Sequence, residues 1–400
     1  MESINLSKNI KIFCFYRFVS RFYLYLPILA VILYKFGLSF VSIGFVLAMH
    51  GISLMIFKIP LGYIVKKVKS NKKIIFIGEI FKSIGVFGLG FSQGELYILL
   101  ISQSLSGIGF ALTTSTESSL LLDSMKEGGM ENNYRSIEAK SQGYSFLSIL
   151  ISGIIGSIIA ASNIAFPLYL TVPFSIIAAI SILFFHESVN TPDLNSKVKN
   201  SDPQFDVSNG INGVLNLLLF YAVNRAIILT VFVFVLPIYL LKAFDINLIF
   251  FGAILSLFSL ASILVATNFE KISNKFNDIL WATVPVALLI AIAFLIQQNI
   301  YFLLAIPVLL GISAAIVRPL AMGKVNSIIK NDNNAVMSKA EQMFGFLNAM
   351  FLIIMGILFS HFSLDITLYV FLSSLIIVNV ILILFNKKQQ ITVRKTIEDL

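Results

Sequence analysis

The sequence predicts an all-α polytopic membrane protein with twelve transmembrane helices, built as two pseudo-symmetric six-helix bundles with both termini on the cytoplasmic side. Three observations carry this expectation. Apolar segments long enough to cross a bilayer recur along nearly the whole chain, Lys and Arg gather in alternate connections, and the second half echoes the first.

Composition sets the class. Hydrophobic residues make up 58% of the 400 residues and charged residues only 12%, against about 25% charged in a soluble domain. A transmembrane β-barrel would alternate at period two in short segments, and no such pattern appears. The formal charge of +9 sits in the connections between apolar segments rather than on a nucleic-acid-binding surface. Cys14 is the single cysteine, so no internal disulfide is available.

In chain order the expected spans are 10–34, 40–65, 73–91, 96–122, 137–161, 165–185, 213–241, 247–268, 278–297, 300–323, 337–360 and 365–386. The first contains Arg17 and Arg21 and has no small-residue cleavage site behind a compact apolar core, so it reads as a retained span. Between the sixth and seventh lies His186 to Asn212, polar and carrying two prolines, which reads as a flexible linker. The chain therefore divides into a bundle at 1–185, a linker at 186–212, a second bundle at 213–386 and a tail at 387–400.

Orientation follows from charge. One side collects Lys8, Lys11, Lys66, Lys67, Lys69, Lys72, Lys73, Lys126, Arg135 and Lys140 from the first half. The second half adds Lys197, Lys199, Lys271, Lys275, Lys324, Lys330, Lys339, Lys387, Lys388, Arg394 and Lys395. The other side has Lys35 and Lys242, so 21 basic residues face 2. Excess Lys and Arg mark the cytoplasmic side, which makes the expected location a bacterial inner membrane with both termini inside.

A shift of 208 residues superposes Arg17 on Arg225 and Gly44 on Gly252, and brings Pro27 within two residues of Pro237. Asn132 and Asn133 before Glu138, Ala139 and Lys140 correspond to Asn333 and Asn334 before Lys339, Ala340 and Glu341, with the charges exchanged. Matches in the same order support an internal duplication of the kind transporters use.

Ser106-Gly107-Ile108-Gly109-Phe110-Ala111, continuing through Glu117 to Leu122-Asp123-Ser124, resembles the fourth helix of bacterial drug-exporter-like members of the major facilitator superfamily. Small residues there let helices approach closely. The six-plus-six layout and the basic second-to-third loop extend the resemblance over the full length. The sequence departs from the family pattern in three places. Gly62 is followed by Lys66 and Lys67 with no Asp or second Gly, Gln103 stands where an arginine is usual, and Gly153 and Gly156 lack the usual antiporter ending.

Charges within spans are costly, about 2.5–3.5 kcal/mol each on insertion scales, and usually face a cavity or a partner. The candidates are Arg17, Arg21, Glu117, Arg225 and Arg318. In the resembled fold their helices line the central cavity. Glu117 is expected to be the protonatable or cation-contacting carboxylate, with the arginines holding anionic groups or pairing with it; salt bridges closing the cytoplasmic end are the competing structural role. Glu138, Lys140, Lys339, Glu341 and Asp123 are candidate cytoplasmic gate residues. His50 reads as a packing residue, Lys58 as a lysine reaching for the interface, and Glu79 with Lys82 as a pair on one helix.

The resemblance implies a secondary active transporter, with proton-coupled efflux of a drug-like or antibiotic-like molecule as the first expectation. A carrier for an anionic metabolite or a nucleotide- or peptide-like compound is the alternative, and a non-transporting receptor or immunity protein the third. No nucleotide-binding loop, metal-ligand cluster or nucleophile elbow occurs in the sequence, so no enzyme activity, cofactor or metal is expected. The expected partners are a small-molecule substrate, protons and the lipid bilayer, with no nucleic acid and the monomer as the working unit.

Overall fold

The computed structural model describes residues 2–130, 133–187, 207–244, 246–268, 289, 292, 304–328 and 333–398. In lipid every backbone amide and carbonyl must be bonded within the chain, which leaves the helix as the natural state of each apolar segment. The helices are α1 (Glu2–Ser20), α2 (Leu29–Lys35), α3 (Phe40–Val68), α4 (Asn71–Phe91), α5 (Leu96–Glu127), α6 (Tyr134–Ser162) and α7 (Phe166–Leu183). They continue with α8 (Val207–Thr230), α9 (Leu236–Phe244), α10 (Leu248–Thr267), α11 (Ala305–Ile328), α12 (Asn333–His361) and α13 (Leu364–Glu398).

Among the described residues, nine helical segments are long and apolar enough to cross a membrane, corresponding to the expected second to eighth, eleventh and twelfth spans. The tenth appears as a shorter apolar stretch, Ala305–Val317, within α11. Most of the expected ninth span and most of the linker lie outside the described residues.

The first span departs from the expected continuous helix. It breaks after Ser20 and resumes through a single 3-10 turn, Leu26–Ile28, into α2. Pro27 lacks an amide hydrogen and sits at the start of the second piece, where the missing donor costs nothing. The break needs external partners. The Leu24 amide donates to Thr171 Oγ1 of α7 at 3.2 Å, and Gly156 of α6 lies so near that a methyl there would sit 1.8 Å from the Leu24 carbonyl oxygen. The seventh span carries its own irregularity near the repeat-related place, a π turn at Val231–Val235 just before Pro237.

The repeat is visible in the packing. Gly44 of α3 faces α12, where an added methyl would lie 2.6 Å from the Leu352 carbonyl oxygen. Its sequence counterpart Gly252 of α10 faces α6, with the same methyl 2.2 Å from the Gly153 carbonyl oxygen. Such approaches allow dispersion contact between backbones where lipid supplies no hydrophobic drive. Ser256 adds a bond to the Leu150 carbonyl at 3.0 Å on the α6–α10 seam. Aromatic contacts join the halves on the side of Lys35 and Lys242: Tyr34 stacks on Phe40, while Phe40 and Phe234 both pack on Phe359. Lys242 lies 4.5 Å from the Tyr34 ring centroid.

The loop between α3 and α4 is held by polar contacts. Lys69 takes a left-handed conformation (φ 53°) that terminates α3, a position glycine ordinarily fills. Glu187, just past α7, accepts from Ser70 Oγ and the Asn71 amide, each at 2.5 Å, so an acid distant in sequence serves the α4 N-terminus.

A buried charge network as the candidate functional site

Four helices bring the first-half charges together. Tyr16 and Arg17 lie on the last turn and a half of α1 and Arg21 just after it, Glu79 and Lys82 on α4, Glu117 on α5 and Glu138 on α6. Small residues make this convergence possible: Gly78 lies against Gly109 and Thr113, which seats α4 closely on α5 at the level of the charges.

Arg17 is 3% exposed and Glu117 1%; Arg17 Nε stands 3.0 Å from Glu117 Oε2. Arg17 Nη2 also donates to Glu138 Oε1 at 3.1 Å. Arg21 Nη2 donates to both Glu117 oxygens, at 3.1 and 3.3 Å. The Tyr16 hydroxyl lies 2.9 Å from Glu117 Oε1 and 2.9 Å from Glu79 Oε1, and Lys82 Nζ donates to Glu79 Oε1 at 2.8 Å. Arg17, Arg21 and Lys82 thus face Glu79, Glu117 and Glu138, three formal charges of each sign. Mutual neutralisation keeps such a cluster tolerable in a water-poor interior.

Phe110 of α5 forms an aromatic wall of this network. Arg21 lies 5.1 Å and Lys82 5.2 Å from its centroid, and His50 of α3 packs edge-on at 5.4 Å. Each cation over the ring contributes about 0.5–2 kcal/mol. His50 therefore takes the packing position expected of it.

The second half holds a smaller counterpart. Arg225 of α8 forms a close ion pair with Glu341 of α12, donates to the Tyr221 hydroxyl at 2.6 Å, and lies over Phe344 at 4.1 Å. Tyr221 donates in turn to Glu341 at 3.1 Å. An arginine of the first span paired with an acid of the fifth is matched by an arginine of the seventh paired with an acid of the eleventh. Arg225 is 28% exposed, making this the more accessible pair.

The structure thus joins Arg17, Arg21, Glu117 and Glu138 in one group and Arg225 with Glu341 in another. Asp123 accepts from Asn71 Nδ2 at 3.3 Å. Lys140 and Lys339 are exposed on α6 and α12. Arg318 falls on the backbone of α11, and its side chain lies outside the described residues. Lys58 corrects its expected role: it is 2% exposed and donates to Thr114 Oγ1 at 2.9 Å rather than reaching the interface. Sequence reasoning paired Glu79 with Lys82 but missed Tyr16, which links that pair to Glu117. The available signal was the adjacency of Tyr16 to Arg17, one turn before Arg21.

Apolar helices packed around buried, mutually neutralising charges define a multi-pass membrane protein of transporter architecture. Residues 13–340 match the model of the Major Facilitator Superfamily, and the chain belongs to that family. Compared by sequence with curated proteins, it has no significant match. Among solved structures it resembles the nucleoside transporter NupG (TM-score 0.72, 13% identity, covering 96% of this chain and 99% of that one). It resembles a D-xylose-proton symporter similarly (0.71, 13%, 95% and 96%), as it does a POT family transporter in complex with a thioalcohol-conjugated peptide (0.74, 14%, 96% and 96%). At these identities the likeness is one of fold. Family and fold together point to a transporter rather than an enzyme.

Proposed function

We propose that the chain is a secondary active transporter that moves a small organic solute by alternating access, coupled to protons, in the bacterial cytoplasmic membrane with both termini inside. The observation that carries this reading is the pairing of repeat-related arginines with carboxylates on the corresponding fifth and eleventh spans, Arg17 with Glu138 and Arg225 with Glu341. Pairs of this kind exchange partners when a proton or a solute group arrives, which gives a carrier two states of comparable energy.

For the solute, export of a drug-like or antibiotic-like compound is the first reading, supported by the resemblance of the Gly107 to Asp123 segment. Aromatic groups beside the ion pairs, Phe110 in one half and Phe344 in the other, suit a molecule with both ring and polar groups. A carrier of a polar or anionic metabolite is the second reading. It is favoured by Arg21, whose buried Nη1 has no hydrogen-bond partner among the described residues. The gate role of Glu138, Lys140, Lys339, Glu341 and Asp123 belongs to the same proposal.

Deletion and overexpression strains, challenged with a panel of toxic compounds with and without a protonophore, test the export reading. Overexpression should protect against part of the panel, and the protonophore should abolish the protection. Unchanged sensitivity throughout would sink drug export. Uptake of labelled nucleosides, sugars, peptides and organic acids into vesicles would then test the second reading. Transport unaffected by loss of the interior charges would favour a receptor or immunity protein.

A further inference from the structure

The second and eleventh spans cross closely and antiparallel. An added methyl at Gly44 would lie 2.6 Å from the Leu352 carbonyl oxygen, and one at Gly51 2.7 Å from the Gly345 carbonyl oxygen. Met55 follows, its Cβ 3.4 Å from a methyl placed on Gly345. One turn further in the same direction the seam reaches Lys58 on α3 and Glu341 on α12.

Lys58 is 2% exposed and donates to Thr114 Oγ1 of α5 at 2.9 Å. A hydroxyl accepts that bond without matching the charge, and a cation within a span calls for an acid nearby. Of the charged side chains that act on Lys58, Glu341 across the seam acts most strongly, ahead of Arg225 and of Glu117 in the same half as Lys58. Glu117 is already matched by Arg17 at 3.0 Å and Arg21 at 3.1 Å. Glu341 is held in a close pair by Arg225 and accepts from the Tyr221 hydroxyl at 3.1 Å. Arg225 is 28% exposed, so an anion arriving through water competes with Glu341 for that guanidinium.

We propose that Lys58 is the alternative partner of Glu341: the carboxylate passes from Arg225 in its own half to Lys58 across the α3–α12 seam when an anionic group of the solute takes its place on Arg225. No covalent bond changes in this exchange. An ion pair within the second half becomes an ion pair between the halves, which ties occupation of the site to the contact between the bundles. The anion-driven exchange rests on the proposed transport function, whereas the partnership of Lys58 and Glu341 does not.

Thermal unfolding of the purified full-length protein tests the partnership without a solute. Lys58→Met should lower the midpoint more in an Arg225→Gln background than in the wild type, because Glu341 there turns to Lys58. Glu341→Gln should lower it less when Lys58→Met is also present, because one cation fewer is left uncompensated. Shifts that add independently in both cycles would overturn the proposal, since a lysine acting only through Thr114 or packing does not sense Glu341. Where Arg225→Gln or Glu341→Gln fails to fold, the cycle built on the other decides. Uptake into vesicles separates the two parts. Carriage of uncharged solutes alone would overturn the anion-driven exchange, and coupled midpoints in a protein that carries none of the tested compounds would establish the partnership while retiring the transport reading.

Discussion

Arg17 Nε lies 3.0 Å from Glu117 Oε2, tying the first span to the fourth in the interior of the first-half bundle. Breaking a buried pair from one side leaves the other charge uncompensated, at a cost of about 3–5 kcal/mol. Glu117→Gln should therefore lower the thermal stability of the purified protein markedly. Cys14, one turn before Arg17 and buried, provides the second readout: its thiol should react faster with a maleimide in the variant. Equal midpoints and equal labelling rates would refute the structural role of the pair.

Glu138 provides the graded comparison. It shares Arg17 but is 17% exposed, so water offsets part of what its removal costs. Glu138→Gln should destabilise less than Glu117→Gln, and the double variant should cost less than the sum, because both act through one guanidinium. Strict additivity in a double-mutant cycle would show that the two carboxylates do not share Arg17.

The seam between α6 and α10 predicts a steric effect. At Gly252 an added methyl would sit 2.2 Å from the Gly153 carbonyl oxygen, so Gly252→Ala must push the helices apart. Overpacking of this kind costs about 1–3 kcal/mol. Gly143 of α6, where nothing lies within 4 Å of an added methyl, is the control. Thermal unfolding of both alanine variants checks it, with a loss expected at Gly252 only.

These tests separate what the sequence made legible from what it did not. Apolar length and charge asymmetry predicted the spans because transfer free energy sums along a helix, whatever its neighbours. The duplication placed Gly44 and Gly252 as counterparts, and both lie at close helix crossings. The break at Arg21–Tyr25 was hidden because Phe22, Tyr23, Leu24 and Tyr25 keep the window apolar, and only Pro27 marked it. Tyr16, Lys58 and Glu187 were hidden for a different reason. Their partners lie at least 56 residues away in sequence, and hydropathy carries no information about which faces meet.

The break in the first span yields the last prediction. Leu24 N has left its helix and donates to Thr171 Oγ1 at 3.2 Å, while that hydroxyl donates to the Pro167 carbonyl at 2.7 Å. Thr171→Val keeps the shape but removes the acceptor, leaving a buried amide unpaired at a cost of about 1–3 kcal/mol. Thr116 is the matched control, since among the described residues its hydroxyl returns to the Leu112 carbonyl of its own helix at 2.7 Å. Hydrogen exchange at Leu24 should accelerate in Thr171→Val and stay unchanged in Thr116→Val. Because Arg21 sits at the edge of the same break, loosening it should also weaken the Arg21–Glu117 contact, which a further fall in stability would register. Unaltered exchange at Leu24 would mean that the amide has another partner, and that the first span does not depend on α7 for its shape.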